Sequence, residues 1–187
     1  MTPEQITALH IKVIADPTSL ALILARDTPG LKTYLNATAS PDFFVWRSAT
    51  PADEINDSIQ WDRLTPKDVP DSLVLYTNRA MACSIRQMNL EIQLLGKNTV
   101  NTAKANIRKA FQDALTDVPS DVGGANRQAG WAAVKNIISR PATVAEKLSA
   151  TGAGTAASPA DLNYEGALSD SDASRISLND DGSIWST

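Results

Sequence analysis

The chain has 187 residues, 43% of them hydrophobic and 20% charged, which supplies one core and excludes wholesale disorder. Its net charge of −4 is unevenly placed: from Thr151 onward six acids accompany one base, leaving a near-neutral body of residues 1–150. That balance argues against broad nucleic-acid binding, which needs a basic surface.

The first part of the chain has a rhythm. Thr2-Pro3, Asp16-Pro17, Thr28-Pro29, Ser40-Pro41, Thr50-Pro51 and Thr65-Pro66 each set a capping side chain before a proline, which is the chemistry of a helix start. Gln5, three residues after Thr2, completes a capping box. Ile6, Leu9, Val13 and Ile14 form the first apolar face; Leu20, Ile23 and Leu24 form the second, after a break at Asp16-Pro17. A short helix follows from Thr28 through Leu35. Residues Ser40 to Arg47, with Phe43-Phe44-Val45-Trp46, read as a short extended piece or a helical turn. Thr50-Pro51 restarts a helix to about Ser58. The apolar positions do not recur between units, so this is a run of short helices and not a solenoid.

Residues Asp68 to Gly96 read as one long helix, about 36 Å in length. Asp68 or Asp71 caps it, Pro70 fits its first turn, and Gly96 suits the left-handed residue that ends it. Val74, Met81, Ile85, Met88, Ile92 and Leu95 form one apolar stripe; Tyr76, Cys83, Leu90 and Leu94 form a second on the far side. Two stripes need two partners: either both are core, or one faces a neighbouring subunit. Asn98 or Thr99 caps the next helix, to about Leu115, with Val100, Ala103, Ile107, Ala110, Phe111 and Ala114 on its apolar face. After a loop over 118–124, residues 125–139 form a helix with Trp131, Val134, Ile137 and Ile138 for burial. Arg140-Pro141 breaks it, and a last short helix covers 142–149. Residues Thr151 to Pro159 are small and read as a linker. Beyond it lies an arm, disordered or laid on another subunit.

Catalytic chemistry has little to stand on. With one histidine and one cysteine, the chain lacks the ligands for a zinc site of the usual type. His10 sits in a helical pattern and reads as structural, and Cys83 as a buried, inert thiol. Gly152 to Gly154 and Gly123-Gly124 do not fit a phosphate loop, because no Gly-Lys-Ser/Thr follows. Asp53-Glu54 at a helix start suits the helix dipole. Lys97, Lys104, Arg108 and Lys109 make a modest basic face, read either as solvated or as a contact for nucleic acid or an acidic neighbour. No run is long enough to span a bilayer, and the N-terminus has no basic region followed by an apolar signal core.

Several strings resemble a family of tailed-bacteriophage virion structural proteins from the head–tail region. They are Thr2-Pro3-Glu4-Gln5-Ile6 with Ala15-Asp16-Pro17; Leu35-Asn36-Ala37 with Val45-Trp46-Arg47; Ala105-Asn106-Ile107-Arg108; Arg140-Pro141-Ala142-Thr143 with Ala145-Glu146-Lys147-Leu148; Thr151-Gly152-Ala153-Gly154-Thr155 with Ser158-Pro159-Ala160; and Tyr164-Glu165-Gly166 with Leu168-Ser169. The resemblance covers most of the chain and is most specific from Arg140 to Gly166. Residues 59–91 and those beyond Asp172 depart from the pattern. The resemblance implies a small, mainly helical protein without known catalysis.

The expectations are these. The fold is all-α: a multi-helix bundle built around one long central helix, with an extended C-terminal arm. Residues 1–150 form the body and 151–187 a flexible acidic arm. The chain is a virion component and not an enzyme, with no cofactor and no metal. Its leading role is a head–tail connector, or adaptor, forming a homo-oligomeric ring under the portal and assembled in the host cytoplasm. Tyr76, Leu90, Leu94, Leu162, Tyr164, Leu168 and Trp185 are the candidate interface residues. The partners are other copies, the portal and other head–tail or tail proteins; DNA enters only as passing genome, and no membrane is involved. The alternatives are a capsid-decorating or tail-associated protein, a DNA-binding or packaging-associated protein using the Lys97 to Lys109 face, and a cell-wall hydrolase needing a catalytic acid such as Glu54 or Glu91.

Overall fold

A computed structural model describes residues 1–59, 90, 94, 96–116 and 124–178. Their elements in order are α1 (Pro3–Ala15), α2 (Pro17–Leu24), α3 (Thr28–Asn36), β1 (Phe44–Trp46), β2 (Thr50–Pro51), α4 (Ala52–Ser58), β3 (Thr99–Val100), α5 (Ala105–Thr116), α6 (Gly124–Ile138), β4 (Ser139–Pro141), α7 (Val144–Ser149) and α8 (Asp170–Ser177). The chain is mainly helical, with a few short strands. It divides into two compact units, Met1–Trp46 with Arg140–Thr187, and Arg47–Ser139.

In the first unit the helix starts follow local chemistry. Thr2 and Gln5 make the expected capping box: Gln5 N donates to Thr2 Oγ1 at 3.2 Å, and Thr2 N donates to Gln5 Oε1 at 2.9 Å. Asp16 ends α1 and caps α2, accepting from Ser19 N at 2.9 Å. At the third start the cap is Asp27, which accepts from Gly30 N, and Thr28 is already helical. Ser40-Pro41 starts no helix; it is a cis peptide leading into β1, which pairs with β4. Thr143 and Glu146 make a second capping box on α7, and Ser169 and Asp172 a third on α8. Ile6, Leu9, Val13, Ile23, Leu31, Leu35, Ala145, Leu168 and Ile176 form this unit's main core.

Residues 151–178 are part of this unit, where the sequence suggests a flexible arm. The linker is a bridged loop: Thr151 and Asp161 exchange backbone hydrogen bonds at 2.9 Å each, and Ala160 lies alongside β1, bonded to Phe44 and Trp46. Gly154 is buried at φ +64°, and a Cβ there would run into the Phe43 ring. Beyond the loop, α8 packs on α1 and α3, with Leu168 at 2%, Ala173 at 0% and Ile176 at 0% exposure. The segment has few apolar residues, but these fit a seat built by the first 35 residues, which no local pattern reveals.

In the second unit α6 packs on both α4 and α5. Phe111, Ala114 and Leu115 from α5 and Val134 and Ile138 from α6 are buried, with Ile55, Ile59 and Leu90. Trp131 and Ile137 are half-buried. Thr50 is not a cap. It lies in β2, antiparallel to β3, and its hydroxyl meets the Thr102 hydroxyl at 2.9 Å, while α4 has no side-chain cap. Asn98 and Thr99 likewise cap no helix: Thr99 opens β3, and α5 starts only at Ala105. Gly96 has φ +69°, the left-handed conformation expected of it. Leu90 and Leu94 are each helical; the rest of the reading of one long two-striped helix, with Thr65-Pro66, lies outside the described residues.

Candidate functional site

The densest polar cluster among the described residues lies in the first unit. Arg140 on β4 donates two hydrogen bonds to one carboxylate: Nη1 to Glu146 Oε2 at 2.8 Å and Nη2 to Glu146 Oε1 at 2.7 Å. Arg140 Nη2 also reaches Glu165 Oε1 at 3.1 Å. Glu146 accepts two further bonds, from Thr143 N at 2.9 Å and Gly166 N at 3.1 Å. Its side chain is 1% exposed. Burial pushes the Glu146 carboxyl up, but the Arg140 hydrogen bonds, the two backbone N–H groups and the guanidinium charge outweigh burial and hold it below the usual carboxylate range. Arg140 is held charged, chiefly by its hydrogen bonds to Glu146.

Four donated bonds on one carboxylate leave Glu146 no free geometry for proton transfer to a substrate. The cluster is a clamp: it ties β4, the start of α7 and the loop at 165–166 together. Other contacts fasten the following segment to the N-terminal helices. Gln5 Nε2 donates to Asn163 O at 2.7 Å. Asn36 binds the Leu168 backbone from both sides, accepting from its N–H at 2.7 Å and donating to its carbonyl at 3.0 Å. His10, 4% exposed, meets the Ile176 carbonyl through Nδ1 at 2.6 Å, so that nitrogen carries the proton. Lys32 Nζ pairs with Asp170 at 3.0 Å, and the Met1 amino group with Asp172 at 3.4 Å.

The expected interface residues fall in several places. Leu168 and Leu90 lie in the chain's own core, at 2% and 1% exposure, so neither offers a free surface in this chain. Tyr164 is half-buried against the main core of the first unit, and Leu162 is half-buried on the small cluster of Val45, Ala142 and Ala160. Leu94 is half-buried in the second unit. Tyr76 and Trp185 lie outside the described residues. The structure thus brings Tyr164 and Leu168 to one core and sets Leu162 on another cluster, all within their own unit. Burial chiefly, with the negative charge of Asp172 and Glu146, raises the Tyr164 hydroxyl.

The basic face is smaller than its sequence suggests. Arg108 is half-buried and donates Nη1 to the Thr102 carbonyl at 3.1 Å and to the Ala103 carbonyl. Lys109 pairs with Asp113 at 2.6 Å. Lys97 and Lys104 are exposed. Glu54, weighed as a catalytic acid, is bound by Arg47 at 3.0 Å on a half-exposed surface; Glu91 lies outside the described residues. Among the described residues no group of three or more His, Cys, Asp or Glu is arranged to hold a metal, and no single helix is long and apolar enough to cross a membrane.

The sequence reading missed the Arg140–Glu146–Glu165 clamp and the exposed Ile11, 58% accessible, and Leu24, expected on the apolar face of α2 with Leu20 and Ile23, is instead 63% accessible. The Thr-x-x-Glu spacing at Thr143 signals a capping box, but nothing local signals that its glutamate also takes an arginine. No protein-family model, curated protein or solved structure matches the chain.

Proposed function

We propose that the chain is a structural subunit of a tailed-phage virion, most simply a head–tail connector that closes into a homo-oligomeric ring beneath the portal. The observation that carries this reading is the clamp. The block most specific to the resemblance, Arg140 to Gly166, uses Arg140, Glu146 and Glu165 to fix one stretch of chain against another, with the carboxylate of Glu146 saturated by donors. That is how a scaffold uses a buried charge, whereas an acid or base must leave a lone pair or a proton for its substrate. The finer architecture, a bundle around one long two-striped helix over 68–96, belongs to the same proposal. Ring closure needs one patch that meets a different patch on the next copy, and Ile11 and Leu24 add exposed apolar surface to the first unit.

The test is the mass of the purified protein in solution, alone and after mixing with portal protein from the same phage. The proposal expects a defined ring on the portal. A protein that ignores the portal but binds assembled capsids or tails is a decoration or tail component, and one that binds neither is not a virion subunit of this kind.

A further inference from the structure

We infer that residues 168–178 form a strap that two copies of the chain exchange, each strap seating on α1 and α3 of the other copy. The inference names a reciprocal contact between two copies, distinct from the patch-to-patch contact that closes the ring, and rests on the proposed homo-oligomer. Three observations carry it. First, the strap is one cohesive piece held to the N-terminal helices from outside its own sequence neighbourhood. Leu168, Ala173 and Ile176 are buried, and Asn36, Lys32 and His10 hold its backbone and its Asp170. A seat that fits the chain's own strap fits the identical strap of a second copy through the same contacts.

Second, the connection to the strap is open. Residues 162–169 carry no helix or strand, and Gly166 and Ala167 are both exposed. Third, the clamp fixes the near side of that connection. Arg140 holds Glu165 and Glu146 holds Gly166 N, so the chain is anchored up to Gly166 and can change direction only just beyond it. Gly166 sits at φ +116°, where side-chain-bearing residues are strained. A Cβ there would meet nothing nearer than Tyr164 Oη at 3.9 Å, so a substitution acts through the backbone angle and not through a clash. The closed arrangement therefore depends on one glycine at the pivot, and a residue that prefers an extended backbone there favours the strap reaching outward.

Lys32 and Asp170 supply the decisive experiment, because they pair across the strap and its seat, on the surface. Two full-length variants are made, Lys32→Glu and Asp170→Lys. Each sets like charges at that position within itself, whereas exchange between them restores an opposite-charge pair at both seats. They are mixed in equal amounts at high concentration, opened briefly in acid, returned to neutrality and weighed by native mass spectrometry. The inference expects dimers in which the mixed species exceeds the statistical half, with the excess lost in high salt. Absence of dimers, or a mixed species at or below half, overturns it. A second variant, Gly166→Val, is expected to raise the dimer fraction several-fold over the unsubstituted chain at equal concentration; a folded Gly166→Val that stays as monomeric as the unsubstituted chain also overturns it. Portal binding without exchange removes this inference and leaves the proposed function standing; exchange without portal binding does the reverse.

Discussion

Glu146 is the residue whose loss should be felt furthest. Its carboxylate is buried and takes four hydrogen bonds, so Glu146→Ala leaves Arg140 without its main partner and two backbone N–H groups unsatisfied. Breaking a buried ion pair from one side costs about 3 kcal/mol, which lowers the melting temperature by on the order of 10 °C. Differential scanning calorimetry on the variant measures this, and a shift of only a degree or two would mean that the clamp is solvated in solution. The pH dependence follows with its sign. The Glu146 carboxyl lies below its ordinary value of 4.5 in the folded chain. Its contribution is therefore complete above that value and is lost as pH falls through the lower, folded one. Asp16 and Asp172 are also held below their ordinary 3.8: in each, hydrogen bonds, to Ser19 and Ser169 respectively, outweigh the upward push of burial. Acid titration of the melting temperature should fall more gently for Glu146→Ala than for the unsubstituted chain below about pH 4.5.

At the scale of elements, the strap is the test of what the sequence makes legible. Capping boxes depend on spacings of three residues, and the one expected at Thr2 is present, as is the break at Asp16-Pro17. Thr50-Pro51 has the same local chemistry but fails as a cap, because its hydroxyl is taken by Thr102, 52 residues away. The strap fails in the opposite direction. Its Ser169 and Asp172 form a capping box, yet its sparse apolar residues matter only through a groove made by α1 and α3. A pattern read along the chain cannot weigh a seat that distant, and so the segment passes for a free arm. Ile176→Ala and Leu168→Ala should each cost about 3 kcal/mol, as buried truncations do. Chemical denaturation measures that, and a loss under about 0.5 kcal/mol, the size of an ordinary surface substitution, would show that the strap is not seated in solution. Removing residues 168–187 should likewise lower the denaturation midpoint of the first unit, because it uncovers the faces of α1 and α3 that α8 covers.

At the scale of the molecule, charge decides between the structural reading and a nucleic-acid one. The net charge is −4, and the cations of the candidate basic face are Lys97, Lys104, Arg108 and Lys109. Arg108 is turned toward the backbone carbonyls of Thr102 and Ala103, and Lys109 is engaged by Asp113. The face thus offers two amines, Lys97 and Lys104, and each phosphate neutralised on duplex DNA contributes about −0.9 to the slope of log K against log salt. A contact made by this face should therefore show a slope no steeper than about −1.8. Fluorescence anisotropy of a short labelled duplex, titrated between about 50 and 200 mM salt, measures it. Weak binding that fades with a shallow slope is what a virion subunit brushing a passing genome would give. Tight binding with a slope near that of a dedicated DNA-binding protein would require cations beyond this face and would favour the packaging-associated alternative. Lys97→Glu with Lys104→Glu completes the argument: the two substitutions should abolish what duplex binding there is and leave the proposed ring formation on the portal unchanged.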